Sequence, residues 1–128
     1  MAISVLVVIE NGIGCLTNYY DTSQDYDEVT VEIVSIFKTS KTLKTIPFAI
    51  VSNSVLIEQD IDLKTKKYNI LMFSSFKKGK NETLCPNPVS LPITTMTRQL
   101  CFKIVNPNME VQSDISAIMH VVLAFKCK

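Results

Sequence analysis

From Ile115 to Cys127 every second residue is apolar: Ile115, Ala117, Met119, Val121, Leu123, Phe125 and Cys127. A strand sends successive side chains to opposite faces, so this run gives one wholly apolar face. The other face is mixed and carries Ser116, Ile118, His120, Val122, Ala124, Lys126 and Lys128. The competing reading is a helix with Ser113 as N-cap and Ile115, Ile118, Met119 and Val122 as its stripe. The unbroken period of two and the adjacent β-branched Val121 and Val122 favour the strand. A strand with one apolar face needs a sheet and a second layer to cover it.

The same period recurs upstream. Ile3, Val5, Val7 and Ile9 share one face of a strand over 2–9, with Ala2, Ser4, Leu6 and Val8 on the other. The "NGIG" run at 11–14 ends it in a turn, and 18–28 read as a polar, acidic loop. The next strand, 29–37, puts Val29, Val31, Ile33 and Phe37 inward. Further strands follow over 46–57, 68–76 and 97–105. Pro47 has no backbone donor and belongs at a strand start or on an edge. Residues 74–92 hold three lysines, a glycine, Cys85 and Pro86, Pro88 and Pro92, and read as a stiffened connection. No repeat or linker interrupts residues 1–128, so the expectation is one all-β domain. It is an antiparallel β-sandwich or flattened barrel of about six to seven strands, with room for one short helix in its loops.

Charge is separated along the chain. Residues 1–32 hold six acids and no lysine or arginine, a charge of −6. Residues 33–128 hold 13 basic residues and six acids, a charge of +7, which leaves the net at +1. The lysines cluster as Lys38, Lys41 and Lys44; as Lys64, Lys66 and Lys67; and as Lys77, Lys78 and Lys80. If the strands over 29–37, 46–57 and 68–76 alternate in direction, the first and third clusters open at the same end. They would form a basic rim, with Lys64, Lys66 and Lys67 at the opposite end. Such a rim attracts polyanions, and each lysine contributes about 1 kcal/mol against an anionic membrane. Asp21, Asp25, Asp27 and Glu28 form an acidic contact loop that can meet the rim of another copy, and head-to-tail contacts that do not close build filaments. The plainer reading of each cluster is solvated charge on turns and protected sheet edges.

Catalytic chemistry has little to stand on. His120 is the lone histidine, and with three glycines the chain carries no G-x-S-x-G, Walker or dinucleotide-binding pattern. An enzyme built on His120 would need a cysteine or an acid within reach of its ring. Cys15, Cys85, Cys101 and Cys127 show no metal-ligand spacing, and neither the acids at 21–28 nor Asp60 with Asp62 match a calcium loop. No metal and no cofactor are expected. The start, "MAISVLVVIENG", lacks the basic region of a secretory signal. With no such signal, free thiols are expected rather than bridges, and a cytoplasmic location. Asn81-Glu82-Thr83 fits the glycosylation triplet, which has meaning only on a secretory route.

Composition and fold class, though no motif, are similar to those of compact viral matrix proteins, which coat membranes and self-assemble. The resemblance implies a non-enzymatic structural protein that forms homo-oligomers. Its rim would bind an anionic lipid surface or a nucleic-acid backbone without sequence specificity, and other viral or host proteins are further partners. It would sit at the inner face of a membrane or in a virion. The alternative is a small binding module that docks a protein or small ligand through its long loops.

Overall fold

The computed structural model describes residues 2–39, 43–52, 69–80, 82–84, 89–91 and 99–127. Within them are nine strands: β1 (Ala2–Ile9), β2 (Ile13–Thr17), β3 (Tyr26–Lys38), β4 (Ile46–Ser52), β5 (Asn69–Phe76), β6 (Glu82–Leu84), β7 (Val89–Leu91), β8 (Gln99–Val105) and β9 (Ala117–Cys127). One sheet runs β1-β9-β3-β6, with β7 also on β3, and the other runs β2-β8-β4-β5. Every pairing is antiparallel. The protein is an all-β sandwich, with no helix among the described residues.

The C-terminal alternation becomes the central strand of the first sheet. β9 pairs β1 on one side and β3 on the other, and its odd-numbered residues Met119, Val121 and Leu123 are fully buried. Across the core they meet inward residues of the second sheet, including Phe102, Ile104, Ile50 and Phe76. Phe48 and Phe76 stack with ring centroids 4.3 Å apart. Pro47 is the second residue of β4 and pairs Ser75 of β5. The β4–β8 ladder begins only at Ala49, so proline's missing donor falls where no partner strand needs it.

The chain passes between sheets at Asn11-Gly12. Glu10 and Ile13 exchange both backbone hydrogen bonds, at 3.0 and 3.1 Å. Both turn residues have positive φ, 54° and 80°, as a two-residue primed hairpin turn requires. Instead of prolonging one sheet, this hairpin sends β1 into the first and β2 into the second. The expected turn is there, but residues 13–17 that follow it form a strand.

Four further expectations change. The polar segment at 18–28 is shorter, because β3 already begins at Tyr26, and Tyr19 is core: it is buried and stacks on Phe125 at 6.2 Å. The connection at 74–92 contains β6 and β7, both paired to β3.

Third, Phe37 points outward. Ile33 pairs Val121 but Ser35 pairs His120, so Val34 is an extra, bulged residue. A one-residue insertion reverses every later side chain. Ile36 and Lys38 therefore face in, and Phe37 faces out.

Fourth, Cys15 and Cys101 are joined by a disulfide and are not free thiols. They are directly opposed in the β2–β8 ladder, a proximity set by two strands 86 residues apart in sequence. Cys127 is free and exposed. Cys85, Asn81, the Asp60–Asp62 pair and the three prolines at 86, 88 and 92 lie outside the described residues.

Candidate functional site

The first feature of interest is one end of the sandwich. Ile46 at the start of β4 pairs Phe76 at the end of β5. Phe37 near the end of β3 pairs Glu82 at the start of β6. The connections that follow β3 and β5 therefore open at the same end. Lys44, Lys77, Lys78 and Lys80 are all exposed there. A turn closed by Lys80 N–H donating to the Lys77 carbonyl, 2.9 Å, holds three of them together. Gly79 adopts the positive φ, 77°, that this turn needs.

Lys38 was expected on the rim but does not stand on it. The bulge at Val34 turns its side chain inward, leaving it 5% exposed. Lys41, and the second cluster of Lys64, Lys66 and Lys67, lie outside the described residues.

Among the described residues, acids stand on the other half of this end. Glu10 at the β1–β2 corner, and Glu110 and Asp114 on the β8–β9 connection, are exposed. The β8–β9 connection is tied down by side chains. Asn106 Oδ1 accepts from Asn108 N–H and Glu110 N–H at 2.9 and 3.0 Å. Gln112 Nε2 donates to the carbonyls of Pro47 and Val105, both at 3.2 Å. Between the two halves is a cleft of about 380 Å³ lined by Lys44, Ile46, Pro47, Asn106, Gln112 and Asp114. The exposed charges are thus divided, with lysines above β4 and β5 and the carboxylates of Glu10, Glu110 and Asp114 above β1, β8 and β9, while Glu82 opens β6 on the lysine side. Sequence alone suggests a purely basic end because the β8–β9 acids are far from the lysine clusters along the chain.

The acidic segment sits at the opposite end. Tyr26 pairs Cys127 while Lys38 pairs Ala117, so β3 runs from the acidic end to the lysine end. At 13 residues, β3 spans about 40 Å. Asp21 and Asp25 are exposed, whereas Asp27 and Glu28 are half-buried strand residues and not loop residues. Asp21 Oδ1 accepts from the Ser23 hydroxyl at 2.7 Å and from Ser23 N–H at 2.9 Å. These bonds favour the charged form and hold the Asp21 carboxyl below its usual range. Asp27 is the extra residue of a second bulge, between Tyr26 and Glu28, and Glu28 lies opposite Lys126. Tyr19, Tyr20, Tyr26 and Phe125 close the core beneath this segment, with neighbouring ring centroids 5.0 to 6.2 Å apart.

His120 lies on the outer face of the first sheet, between Leu6 of β1 and Ser35 of β3. Neither neighbour is a thiol or an acid. Cys127 is seven residues along the same strand, about 23 Å away. Beside His120 is an apolar row that the alternation shows only in part: Val8, Ile118 and Phe37 are adjacent across β1, β9 and β3. All three are exposed. Val8 and Ile118 are outward by period, but Phe37 joins them only through the bulge. Among the described residues, no group of three or more histidines, cysteines or acids is gathered to hold a metal ion.

No protein-family model matches the chain at a significant level, and no curated protein or solved structure matches it either.

Proposed function

We propose that the protein is a non-enzymatic assembly module, matrix-like in its design, that engages an anionic surface through the lysine-bearing end of its sandwich. One observation carries the reading. The Ile46–Phe76 and Phe37–Glu82 registers bring Lys44 together with Lys77, Lys78 and Lys80 on neighbouring connections. Four exposed lysines on one border contribute up to about 4 kcal/mol against an anionic bilayer before ordering costs. That is enough for reversible, salt-sensitive attachment, and a nucleic-acid backbone would answer to the same charge. Self-association follows from polarity. The acidic segment and the lysines lie at opposite ends of the strand axis, so contact between them joins copies head to tail. Attachment to such a surface makes the protein peripheral, at a membrane or within a virion. The Cys15–Cys101 bridge favours an oxidising location over the cytoplasm.

Vesicle sedimentation tests the reading. Binding to anionic but not neutral vesicles, weakened by salt, supports it; equal binding to both, or to neither, contradicts the lipid part. Sedimentation velocity at low and high salt tests self-association, and a monomer at every concentration removes it.

The cleft supports a second reading, a binding module for a small ligand. Its volume of about 380 Å³ falls within the range of small-molecule sites. Lys44 and Asp114 on its walls offer charges of both signs, as a zwitterion would need.

A further inference from the structure

We infer that the lysine-bearing end docks on an anionic lipid bilayer with Phe37 and Leu43 inserted among the headgroups. This rests on the anionic-surface reading and commits it to lipid.

Apolar side chains stand exposed among the lysines. Phe37 is 48% exposed and Leu43, immediately before Lys44, is 82% exposed. Both border the β3–β4 connection. Phe37 pairs Glu82, two residues beyond Lys80, so an aromatic ring, an aliphatic side chain and four lysines share one corner. Large side chains this exposed have a reason to find an apolar partner. A headgroup layer offers anionic groups to the lysines and an apolar margin to the side chains between them. Single-stranded RNA would use a ring for stacking but gains nothing from an aliphatic side chain. Here the aliphatic Leu43 is exposed as well.

The acids fix the tilt. Glu10, Glu110 and Asp114 occupy the other half of the same end and would be repelled by anionic lipid. The molecule therefore leans onto its β3–β6 border and keeps the β1–β2 corner in water.

The chain contains no tryptophan, so a single introduced indole reports on its own position. Phe37→Trp places the probe at the proposed insertion point. Thr17→Trp, an exposed position at the opposite end, serves as the control. With phosphatidylserine-containing vesicles, emission of the Phe37→Trp variant is expected to shift to the blue and resist aqueous quenchers, while that of the Thr17→Trp variant stays unchanged. In about 1 M salt, where the screening length falls to about 3 Å, part of the binding should persist through the apolar contacts. A Phe37→Ser, Leu43→Ser variant should lose that salt-resistant part, roughly tenfold or more, yet still bind at low salt.

Vesicle binding with no change in the Phe37→Trp emission overturns the insertion and leaves the electrostatic reading intact. An absence of vesicle binding overturns both. A response of the Phe37→Trp variant to single-stranded RNA but not to vesicles overturns the lipid assignment alone.

Discussion

Phe37 and Lys38 are neighbours in the chain, yet the apolar residue is open to water and the charged one is covered: Phe37 is 48% exposed and Lys38 is 5%. The cause is Val34, bulged where β3 passes His120 of β9. It holds Ile36 on the inner face and moves Phe37 onto the outer apolar row.

Lysine reactivity checks this inversion directly. Under native conditions an amine-acylating reagent should modify Lys44, Lys77, Lys78 and Lys80 readily and Lys38 last, by peptide mass spectrometry. Lys38 labelled as fast as Lys44 would mean that β3 continues without a bulge.

The Asn11-Gly12 corner should tolerate little change. A Cβ on Gly12 would lie 2.6 Å from the Gln112 carbonyl oxygen and 2.8 Å from Val111 Cγ1, at a φ of +80°. The Gly12 carbonyl also accepts from Ile104 N–H, so backbone movement there costs a second contact. Gly12→Ala is expected to destabilise by about 2–4 kcal/mol in urea unfolding. Gly79→Ala meets nothing within 4 Å and loses only its positive φ, about 1 kcal/mol.

The Cys15–Cys101 bridge closes a loop with a sequence separation of 86. In chain-entropy terms, removing it costs about 4.6 kcal/mol. Cys15→Ser with Cys101→Ser should therefore lower the unfolding midpoint, and mass mapping of the native chain should recover the two cysteines in one linked peptide pair. Two free thiols in that map would remove the bridge.

Asp21 carries the pH prediction. Its folded pKa is lowered below the usual 3.8 by the Ser23 hydroxyl and the Ser23 N–H. Its contribution is present above the ordinary carboxylate pKa and is lost as pH falls through the lower folded value. A carboxyl NMR titration should place Asp21 below 3.8, and Ser23→Ala should raise it toward that value, because the hydroxyl is the larger cause. An unchanged value in the variant would remove the hydroxyl from the account.

The sequence made some of this legible and hid the rest for physical reasons. β1, β8 and β9 were readable because a half-buried strand writes its period of two into the residues, and β5 was readable only as an apolar run, with the adjacent Leu71 and Met72 both buried. β2 was not, since Gly14 and Cys15 follow a turn signal and give no alternation. β6 and β7 have three residues each, too few to show a period. Ile33-Val34-Ser35-Ile36-Phe37 fits either register, and only the pairing with β9 selects one. Tyr19 lies in a polar run and becomes core only because Phe125 is waiting beneath it. The placement of Lys44, Lys77, Lys78 and Lys80 follows from strand alternation, whereas that of Lys38 depends on the bulge at Val34 and that of the acids on where the β8–β9 connection lands.

On the proposed reading, position rather than total charge makes one end of the sandwich adhesive. Two variants separate the alternatives: Lys77→Gln with Lys78→Gln at the border, and Lys103→Gln with Lys126→Gln elsewhere. Each removes two positive charges, and both are compared by sedimentation with phosphatidylserine vesicles at low salt. The first variant is expected to lose most of its bound fraction while the second stays near the parent. Equal losses in the two, or a greater loss in the second, would contradict that reading.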